Sequence, residues 1–150
     1  MKSFNGLVTV VVPTFNHDAY IFDCLDSIVA QTYQNIKIVI VDDASTDTTA
    51  DQLMGLMSPL DVNNSKDYNV YKGVYKSVDI LYVRRLSNGG PAATRNDGIN
   101  VLLKHFPKTA LIGFLDSDDQ WQEKKLERSI EAFQKDPEKI GMVYSDYTNI

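Results

Sequence analysis

Residues 111–119 read LIGFLDSDD, an apolar run that ends in three carboxylates, Asp116, Asp118 and Asp119. An apolar run with little polar interruption is typical of a strand that is buried on both faces of a parallel sheet. Clustered carboxylates repel one another and are costly to remove from water, so they need a cation or hydrogen-bond donors nearby. The D-x-D spacing suits a hard cation such as Mg²⁺ or Mn²⁺. The alternative is a turn that caps a following helix, because aspartate is common at helix starts.

The rest of the chain alternates between similar apolar runs and stretches with helical periodicity. In the first helical stretch, Ile21, Leu25 and Ile28 recur at i, i+4 and i+7. This alternation predicts an α/β fold with a mostly parallel sheet, right-handed crossovers and flanking helices. The predicted strands are 7–12, 36–41, 80–83, 110–115 and 141–145, and the predicted helices are 19–31, 47–57, 91–104 and 123–135.

Residues 58–79 interrupt this alternation. The segment is polar and turn-rich, with Tyr68, Tyr71 and Tyr75 spread through it. We expect a surface excursion or a small ordered insertion within one domain that covers residues 1–150, because loops carry most length variation. The alternative is a tyrosine-lined contact for an acceptor or a partner.

The composition is that of an ordinary globular domain, with 43% hydrophobic and 23% charged residues among 150. The net charge of −5 argues against a nucleic-acid partner, since such proteins carry a basic surface. We expect the basic pair Arg84 and Arg85 to be solvated or to contact phosphate locally. The single cysteine, Cys24, provides neither a disulfide framework nor a cysteine metal site, and it fits a reducing compartment.

The sequence carries no sign of export or of membrane insertion. Residues 1–12 lack the long apolar region and the small-residue cleavage site of a secretory signal peptide. No stretch approaches the roughly 20 apolar residues of a membrane span. We therefore expect a cytoplasmic location, with peripheral association at the inner face of the membrane, through segments outside this sequence, as the alternative.

Polar residues follow each of the first four predicted strands. Ligands of open α/β sheets bind beyond the carboxyl ends of parallel strands, so these residues should converge on one rim. Phe15 offers a flat face for a base, and Asp42 or Asp43 can accept a hydrogen bond from a base or a ribose hydroxyl. The segments concerned are Pro13-Thr14-Phe15-Asn16, Asp42-Asp43-Ala44-Ser45-Thr46-Asp47, Asn88-Gly89-Gly90 with Arg95-Asn96, and the opening carboxylates.

The same rim has groups that suit a diphosphate. Gly89 and Gly90 allow close backbone approach at a helix N-terminus, which favours an anion, and the forked donors of Arg95 suit a phosphate or a base. A metal held by Asp116 and Asp118 can bridge two phosphates. Each group alone has an ordinary structural explanation, and the pattern is neither a Rossmann fingerprint nor a P-loop. Their joint placement indicates a site for a metal and a nucleoside diphosphate.

Four successive motifs together resemble the family 2 glycosyltransferases, which have a GT-A fold with a Rossmann-like sheet. The likeness covers nearly the whole chain except 58–79, and it implies inverting transfer of a sugar from a nucleotide-diphosphate donor. It also implies that Trp121 packs beneath the site. The motifs are PTFNH (13–17), IVIVDDASTD (38–47), NGGPAATRN (88–96) and FLDSDD (114–119).

The resemblance implies a role for each residue of the base pocket. Pro13, Thr14 and Phe15 would line the pocket, and Phe15 would stack on the base. Asp43 would hydrogen-bond the base, usually uracil, and Asp42 would support the site.

The resemblance also assigns the diphosphate side of the site. Arg95 would lie near the base or the phosphates, in a loop that Asn88 and Gly90 shape. Asp116 would lie by the ribose and the sugar, and Asp118 would ligate Mn²⁺ or Mg²⁺.

The catalytic base is not identifiable in this sequence. Asp119 either orients Asp118 or faces the acceptor, and Asp146 belongs to the fifth predicted strand. The family's base is typically a carboxylate in a later acidic motif, so we expect it beyond Ile150. The chain then resembles the nucleotide-binding half of a longer enzyme.

The activity implied is transfer of a sugar, most typically from a UDP-sugar, to a saccharide or lipid-linked acceptor in polysaccharide or glycan biosynthesis. A non-catalytic nucleotide-sugar-binding module is the alternative. A phospho-receiver domain is disfavoured because the first strand ends in PTFN rather than in an acidic pair. A nicotinamide dehydrogenase is disfavoured because the glycine fingerprint is absent.

Overall fold

The computed structural model describes residues 3–148 and leaves the side chains of residues 59–62 undescribed. The described residues form six strands and four helices in a mixed α/β arrangement. The elements are β1 (Leu7–Thr14), α1 (Ile21–Val29), β2 (Ile36–Asp42), α2 (Thr49–Met54), β3 (Met57–Asn64), β4 (Tyr68–Tyr75), β5 (Val78–Arg85), α3 (Gly90–His105), β6 (Thr109–Phe114) and α4 (Lys125–Lys135).

The strands form one sheet in the order β3-β4-β5-β2-β1-β6. The four strands β5, β2, β1 and β6 are mutually parallel. β4 extends the sheet antiparallel to β5, and β3 pairs antiparallel with β4 at the edge. The mostly parallel sheet and all four helices expected from the sequence are therefore confirmed. The register pairs Thr14 with Asp42 and Asp42 with Arg84, so three neighbouring parallel strands end at one level.

The sheet is covered on both faces, which explains why its central strands are continuously apolar. In β1, Val8, Val10 and Val12 belong to the core cluster that includes α1, α2 and α4. The intervening Val11 belongs to the second cluster, which includes α3. Each such fully buried aliphatic side chain stabilises the fold by about 1.5–3 kcal/mol. In residues 3–148, no helix combines the length and apolar character needed to cross a membrane.

The segment 58–79 is ordered and forms part of the sheet, so of the two expectations the small ordered insertion describes it and the surface excursion does not. Nearly all of it lies in β3, β4 and the start of β5. Tyr71 stacks on Tyr82 at 5.9 Å between ring centroids, and the Tyr75 hydroxyl donates a 2.6 Å hydrogen bond to Asp26. Tyr68, Tyr71 and Tyr75 are each half-buried, so a tyrosine-lined contact for an acceptor or a partner stays a prediction. The segment reads as polar because strands near a sheet edge keep many side chains in water.

The strand predicted at 141–145 is wrong. The structure gives residues 140–148 no regular secondary structure. Met142 and Tyr144 are 79% and 87% exposed, so the apolar run is not buried. A strand needs a neighbour for its backbone hydrogen bonds, and in the described part of the chain no strand pairs with this segment.

Candidate functional site

The loops after β1 and β2 form one hydrogen-bonded unit at the carboxyl edge of the sheet. The side-chain carbonyl of Asn16 accepts from the Thr46 amide at 2.8 Å, and the Asn16 amide donates to Ser45 Oγ at 3.0 Å. Asn16 adopts a φ of 54°, a left-handed conformation that asparagine tolerates well. The Asp43 amide donates to the Thr14 carbonyl at 2.9 Å. The first two predicted site loops therefore hold one another in place.

Of Pro13, Thr14 and Phe15, at the end of β1 and just after it, Phe15 is the one that faces solvent. Its side chain is 43% exposed, whereas Thr14 is buried. The Thr14 hydroxyl has no hydrogen-bond partner among the described residues. Pro13 lies within the sheet, opposite Val41 of β2. Phe15 is thus placed to contact a ligand, while Pro13 and Thr14 lie behind it.

Asp42 works inside the protein. It is fully buried, and its carboxylate accepts from the Tyr82 hydroxyl at 2.6 Å and from the Ser45 amide at 2.9 Å. Burial, together with the neighbouring Asp42, raises the pKa of Tyr82 well above its usual range, so the phenol stays a hydrogen-bond donor. Asp42 therefore holds the loop after β2 in place from inside the protein, and its support of a nucleotide site stays a prediction.

The Asp43 carboxylate binds the N-terminus of α3. It accepts from the amides of Gly89 at 2.8 Å and Gly90 at 2.7 Å, donors that the first turn of a helix leaves free. The Asn88 side chain donates to the Asp43 carbonyl at 3.2 Å. Gly90 has a φ of 85°, a conformation that glycine adopts at little cost. The loop before α3 is therefore shaped around Asp43.

Arg85 is a site residue that the sequence did not reveal. We expected a solvated arginine or a phosphate contact, but the side chain is only 12% exposed and forms ion pairs with Asp43 at 3.2 Å and Asp97 at 2.9 Å. A Cβ on Gly89 would lie 2.5 Å from the Arg85 guanidinium, so a larger residue there would displace that side chain. Burial raises the pKa of Asp97 despite the opposing charge of Arg85. Successive side chains of a strand point to opposite faces of the sheet, so an exposed Arg84 at the end of β5 implies that Arg85 points inward. This is the sequence signal that could have identified Arg85.

Arg95 of α3 forms an ion pair with Asp116, which lies in the loop after β6. The guanidinium lies 2.6 Å from the Asp116 carboxylate, and both side chains remain accessible to solvent. The Asp119 amide donates to the Asp116 carbonyl at 3.0 Å, which closes a turn after β6. Because α4 begins only at Lys125, the three carboxylates do not cap it. The helix-cap interpretation of the D-x-D segment is wrong.

Asp118 lies beside His17, which the sequence also did not single out. Its carboxylate is 4.0 Å from His17 Nε2 and its side chain is 52% exposed. The other ring nitrogen, Nδ1, lies 2.6 Å from the hydroxyl of Ser117, a fully buried residue. Burial and the nearby charges of Asp118 and Asp116 raise the pKa of Asp119. The three carboxylates form an electronegative corner of the rim.

The donor set at this corner fits a hard divalent cation. Within residues 3–148, no three His, Cys, Asp or Glu side chains surround a single metal-sized point. Mg²⁺ and similar ions are nevertheless commonly held by one or two carboxylates, with phosphate oxygens and water completing the shell. The accessible carboxylate of Asp118 suits such an arrangement.

Trp121 lies under the rim, as expected. Its ring packs against the larger core cluster, and a Cβ on Gly113 of β6 would lie 2.9 Å from it. Its amide donates to Ser27 Oγ of α1 at 3.0 Å. Cys24 is buried nearby, and burial raises the pKa of its thiol to about 12, so it is not a reactive nucleophile.

Comparison with known proteins bears on the family and the fold of this chain. The family model described as "Glycosyl transferase family 2" matches residues 9–149. Glycosyltransferase GlyA of Streptococcus pneumoniae is 33% identical over 92% of this chain and 17% of its own length. The putative teichuronic acid biosynthesis glycosyltransferase TuaG of Bacillus subtilis is 30% identical over 87% of this chain and 43% of its own.

Solved structures agree on the fold. Residues 1–349 of Staphylococcus aureus TarS, in complex with UDP-GlcNAc, match 86% of this chain with a TM-score of 0.64 and 23% identity. The Pyrobaculum calidifontis mannosyltransferase PcManGT, in complex with GDP-Man and Mn²⁺, matches 87% with a TM-score of 0.61 and 23% identity. This chain covers 31% and 33% of those two chains, so it spans less than half the length of the relatives it matches. These likenesses confirm the GT-A fold.

Proposed function

This chain belongs to glycosyl transferase family 2, and we propose that it binds the nucleotide-sugar donor of an inverting glycosyltransferase. The observation that carries this proposal is the convergence of four loops on one edge of the sheet, with Phe15, Asp43, Arg95 and Asp118 each contributed by a different loop or helix start. Ligands of α/β sheets bind beyond the carboxyl ends of the strands, which is where these side chains lie.

The base is proposed to bind between Phe15 and Asp43. The exposed ring of Phe15 stacks on it, and Asp43 accepts a hydrogen bond from it. The Asp43 carboxylate already contacts the amides of Gly89 and Gly90 and the Arg85 guanidinium, but a carboxylate has about four acceptor positions, so one remains for a base N–H. An N–H beside a carbonyl is a feature of uracil, and a UDP donor fits this arrangement. Pro13, Thr14, Asp42 and Asn88 shape the pocket from behind.

The diphosphate is proposed to bind at Arg95 and Asp118. Arg95 is accessible and exchanges its contact with Asp116 for a phosphate, which frees Asp116 for the ribose or the sugar. Gly90 lets the backbone approach at the start of α3. Asp118 holds Mn²⁺ or Mg²⁺, and the bound cation stabilises negative charge on the diphosphate leaving group.

The proposed reaction is transfer of a sugar to a saccharide or lipid-linked acceptor in glycan or polysaccharide biosynthesis. The acceptor oxygen attacks the anomeric carbon while the bond to the diphosphate breaks, and the acceptor proton passes to a base. One in-line displacement inverts the anomeric configuration. The base predicted beyond Ile150 lies outside the described residues, and Asp146 lies in an exposed segment without regular structure. The cytoplasmic location stays a prediction.

A non-catalytic donor-binding module is the second candidate function of this chain. The chain spans 17% of GlyA and 43% of TuaG, so the activity of a whole enzyme is a proposal for this chain. Measured sugar transfer or donor hydrolysis by this chain would establish an enzyme. Binding of UDP with Mn²⁺ but without turnover would establish a module.

Isothermal calorimetry of UDP with and without Mn²⁺ tests the proposed site. The wild-type chain should bind UDP more tightly with Mn²⁺, and Asp118→Ala should lose the metal-dependent gain while it keeps its melting temperature. Asp51→Ala, which removes an exposed carboxylate from α2, is the matched control and should bind as the wild type does. An unchanged metal-dependent affinity in Asp118→Ala would contradict the ligand role.

A further inference from the structure

The ring of His17 is held in place without any ligand. His17 follows β1, yet its Nδ1 lies 2.6 Å from the hydroxyl of Ser117, which follows β6. Ser117 is fully buried, so this anchor is fixed by the core. The ring also makes an edge contact with Tyr20 at 6.0 Å between centroids, and the His17 carbonyl accepts from the Tyr20 and Ile21 amides at 3.0 Å. The imidazole therefore has one orientation relative to the D-x-D loop.

This orientation points the free ring nitrogen at Asp118. Nε2 lies 4.0 Å from the nearer carboxylate oxygen, which is too long for a hydrogen bond. Two metal–ligand bonds of about 2.1 Å can span up to about 4.2 Å, so the two atoms are close enough that both would be able to hold one cation. Histidines that ligate metals usually have their other ring nitrogen fixed by a hydrogen bond, and Ser117 supplies that bond here.

We propose that His17 ligates, through Nε2, the same divalent cation as Asp118. This inference rests on the proposed function, because the remaining ligands would come from the donor diphosphate and water. Both side chains are accessible, at 31% for His17 and 52% for Asp118, so a metal–diphosphate complex reaches them without rearrangement of the core. An imidazole among oxygen ligands shifts preference from Mg²⁺ towards Mn²⁺.

Electron spin echo envelope modulation of the Mn²⁺–UDP complex of this chain tests the proposal directly. The wild-type spectrum should contain the ¹⁴N coupling of a coordinated imidazole, and His17→Asn should lose it. Asparagine places an amide group near the position of Nδ1, so it keeps a partner for Ser117 and removes only the distal nitrogen. The chain has two histidines, and His105→Asn, at the end of α3, is the matched control that should retain the coupling.

Calorimetry gives a second readout. In the presence of UDP, His17→Asn should bind Mn²⁺ at least about tenfold more weakly, the loss typical of a damaged metal site, with a smaller loss for Mg²⁺. If the wild-type chain binds Mn²⁺ and UDP without ¹⁴N coupling, the role of His17 is refuted and the donor site stands. If the coupling persists in His17→Asn, the role is likewise refuted. If the wild-type chain binds no UDP with or without Mn²⁺, the proposed function fails and this inference fails with it.

Discussion

Arg95 and Asp116 form a 2.6 Å ion pair that joins α3 to the loop after β6, and both partners remain open to solvent. An ion pair this exposed contributes little to stability, typically about 0–1 kcal/mol. The ion pair does, however, hold the Arg95 guanidinium at the rim and neutralise its charge with the Asp116 carboxylate. The pair therefore adds little to the stability of the fold, and it keeps Arg95 accessible at the rim where the diphosphate is proposed to bind.

Replacement of Arg95 by alanine should weaken UDP binding and leave the fold intact. Loss of a charge-assisted hydrogen bond to phosphate costs about 1.5–3 kcal/mol, which is roughly 10- to 150-fold in affinity. The melting temperature should stay near that of the wild type. Calorimetry and thermal unfolding measure the two effects, and Arg128→Ala, an exposed arginine on α4, is the control. Equal UDP affinity in Arg95→Ala and Arg128→Ala would exclude a phosphate contact.

Phe15→Ala should remove only the contribution that the base makes to UDP binding. Stacking of an aromatic side chain on a base is worth about 1–3 kcal/mol, so UDP affinity should fall by that amount. Pyrophosphate has no base, and its affinity should be the same in both proteins. The side chain is 43% exposed, so the free energy of unfolding should change little. An equal loss for UDP and pyrophosphate would mean that Phe15 shapes the site in another way.

Asp43→Asn should destabilise the whole domain. The side chain is buried, pairs with Arg85 and accepts from two helix amides, so its removal leaves Arg85 with Asp97 as its one remaining carboxylate. Breaking a buried pair costs about 3–5 kcal/mol. Urea unfolding measures the change, and Asp51→Asn, an exposed carboxylate, should stay within about 0.5 kcal/mol of the wild type. A loss below about 1 kcal/mol in Asp43→Asn would show that Arg85 needs no such partner.

The glycine pair before α3 offers a matched test of two different constraints. A Cβ on Gly90 meets nothing within 4 Å, so Gly90→Ala should cost only the backbone penalty of its φ of 85°, about 1–2 kcal/mol. A Cβ on Gly89 would lie 2.5 Å from Arg85, so Gly89→Ala should cost more and should disturb Asp43. Chemical denaturation of both variants ranks the costs. The reverse order would contradict the close packing of Arg85.

Asp26 should make stability depend on pH in the acidic range. Hydrogen bonds from Lys76 and then Tyr75, both 2.6 Å long, lower the pKa of this carboxyl below its ordinary value of 3.8. A carboxyl with a lowered pKa stabilises the folded state above its unfolded pKa and loses that effect as the pH falls through its folded pKa. Asp26→Asn should therefore be less stable than the wild type at neutral pH, and the difference should shrink below about pH 4.

Urea unfolding of both proteins between neutral and strongly acidic pH measures this difference. Lys76→Met removes the larger cause of the lowered pKa and should show a reduced pH dependence of the same kind. A difference between wild type and Asp26→Asn that stays constant with pH would show that the contact acts without its charge.

The parallel half of the fold was predictable because its strands are buried on both faces. β1 and β2 carry nearly continuous aliphatic runs, broken by Thr9 and Lys37, and such runs are typical of a parallel sheet that is covered on both faces. The strands β3 and β4 were missed because they lie towards a sheet edge, where polar and tyrosine side chains alternate with buried ones. The opposite error occurred at 141–145, where an apolar run was taken for a strand although pairing depends on a neighbour.

The sequence was enough to predict which loops form the candidate site, but not which side chains in those loops contact one another. Phe15, Asp43, Arg95 and Asp118 follow from strand ends, since parallel strands bring those ends together. His17 was missed because its partner Ser117 is 100 residues away in sequence, and no local pattern reports such a contact.

The outermost parallel strand of the sheet has a consequence for how the chain folds during synthesis. β1 pairs with β6, and the hydroxyls of Thr9 and Thr109 meet at 2.7 Å although they are 100 residues apart. Contacts between distant residues slow folding, because a long loop must close before they form. The first strand therefore leaves the ribosome well before the strand that covers its open edge. Until β6 emerges, that edge of β1 is an unpaired template for other chains, so nascent copies need protection from one another.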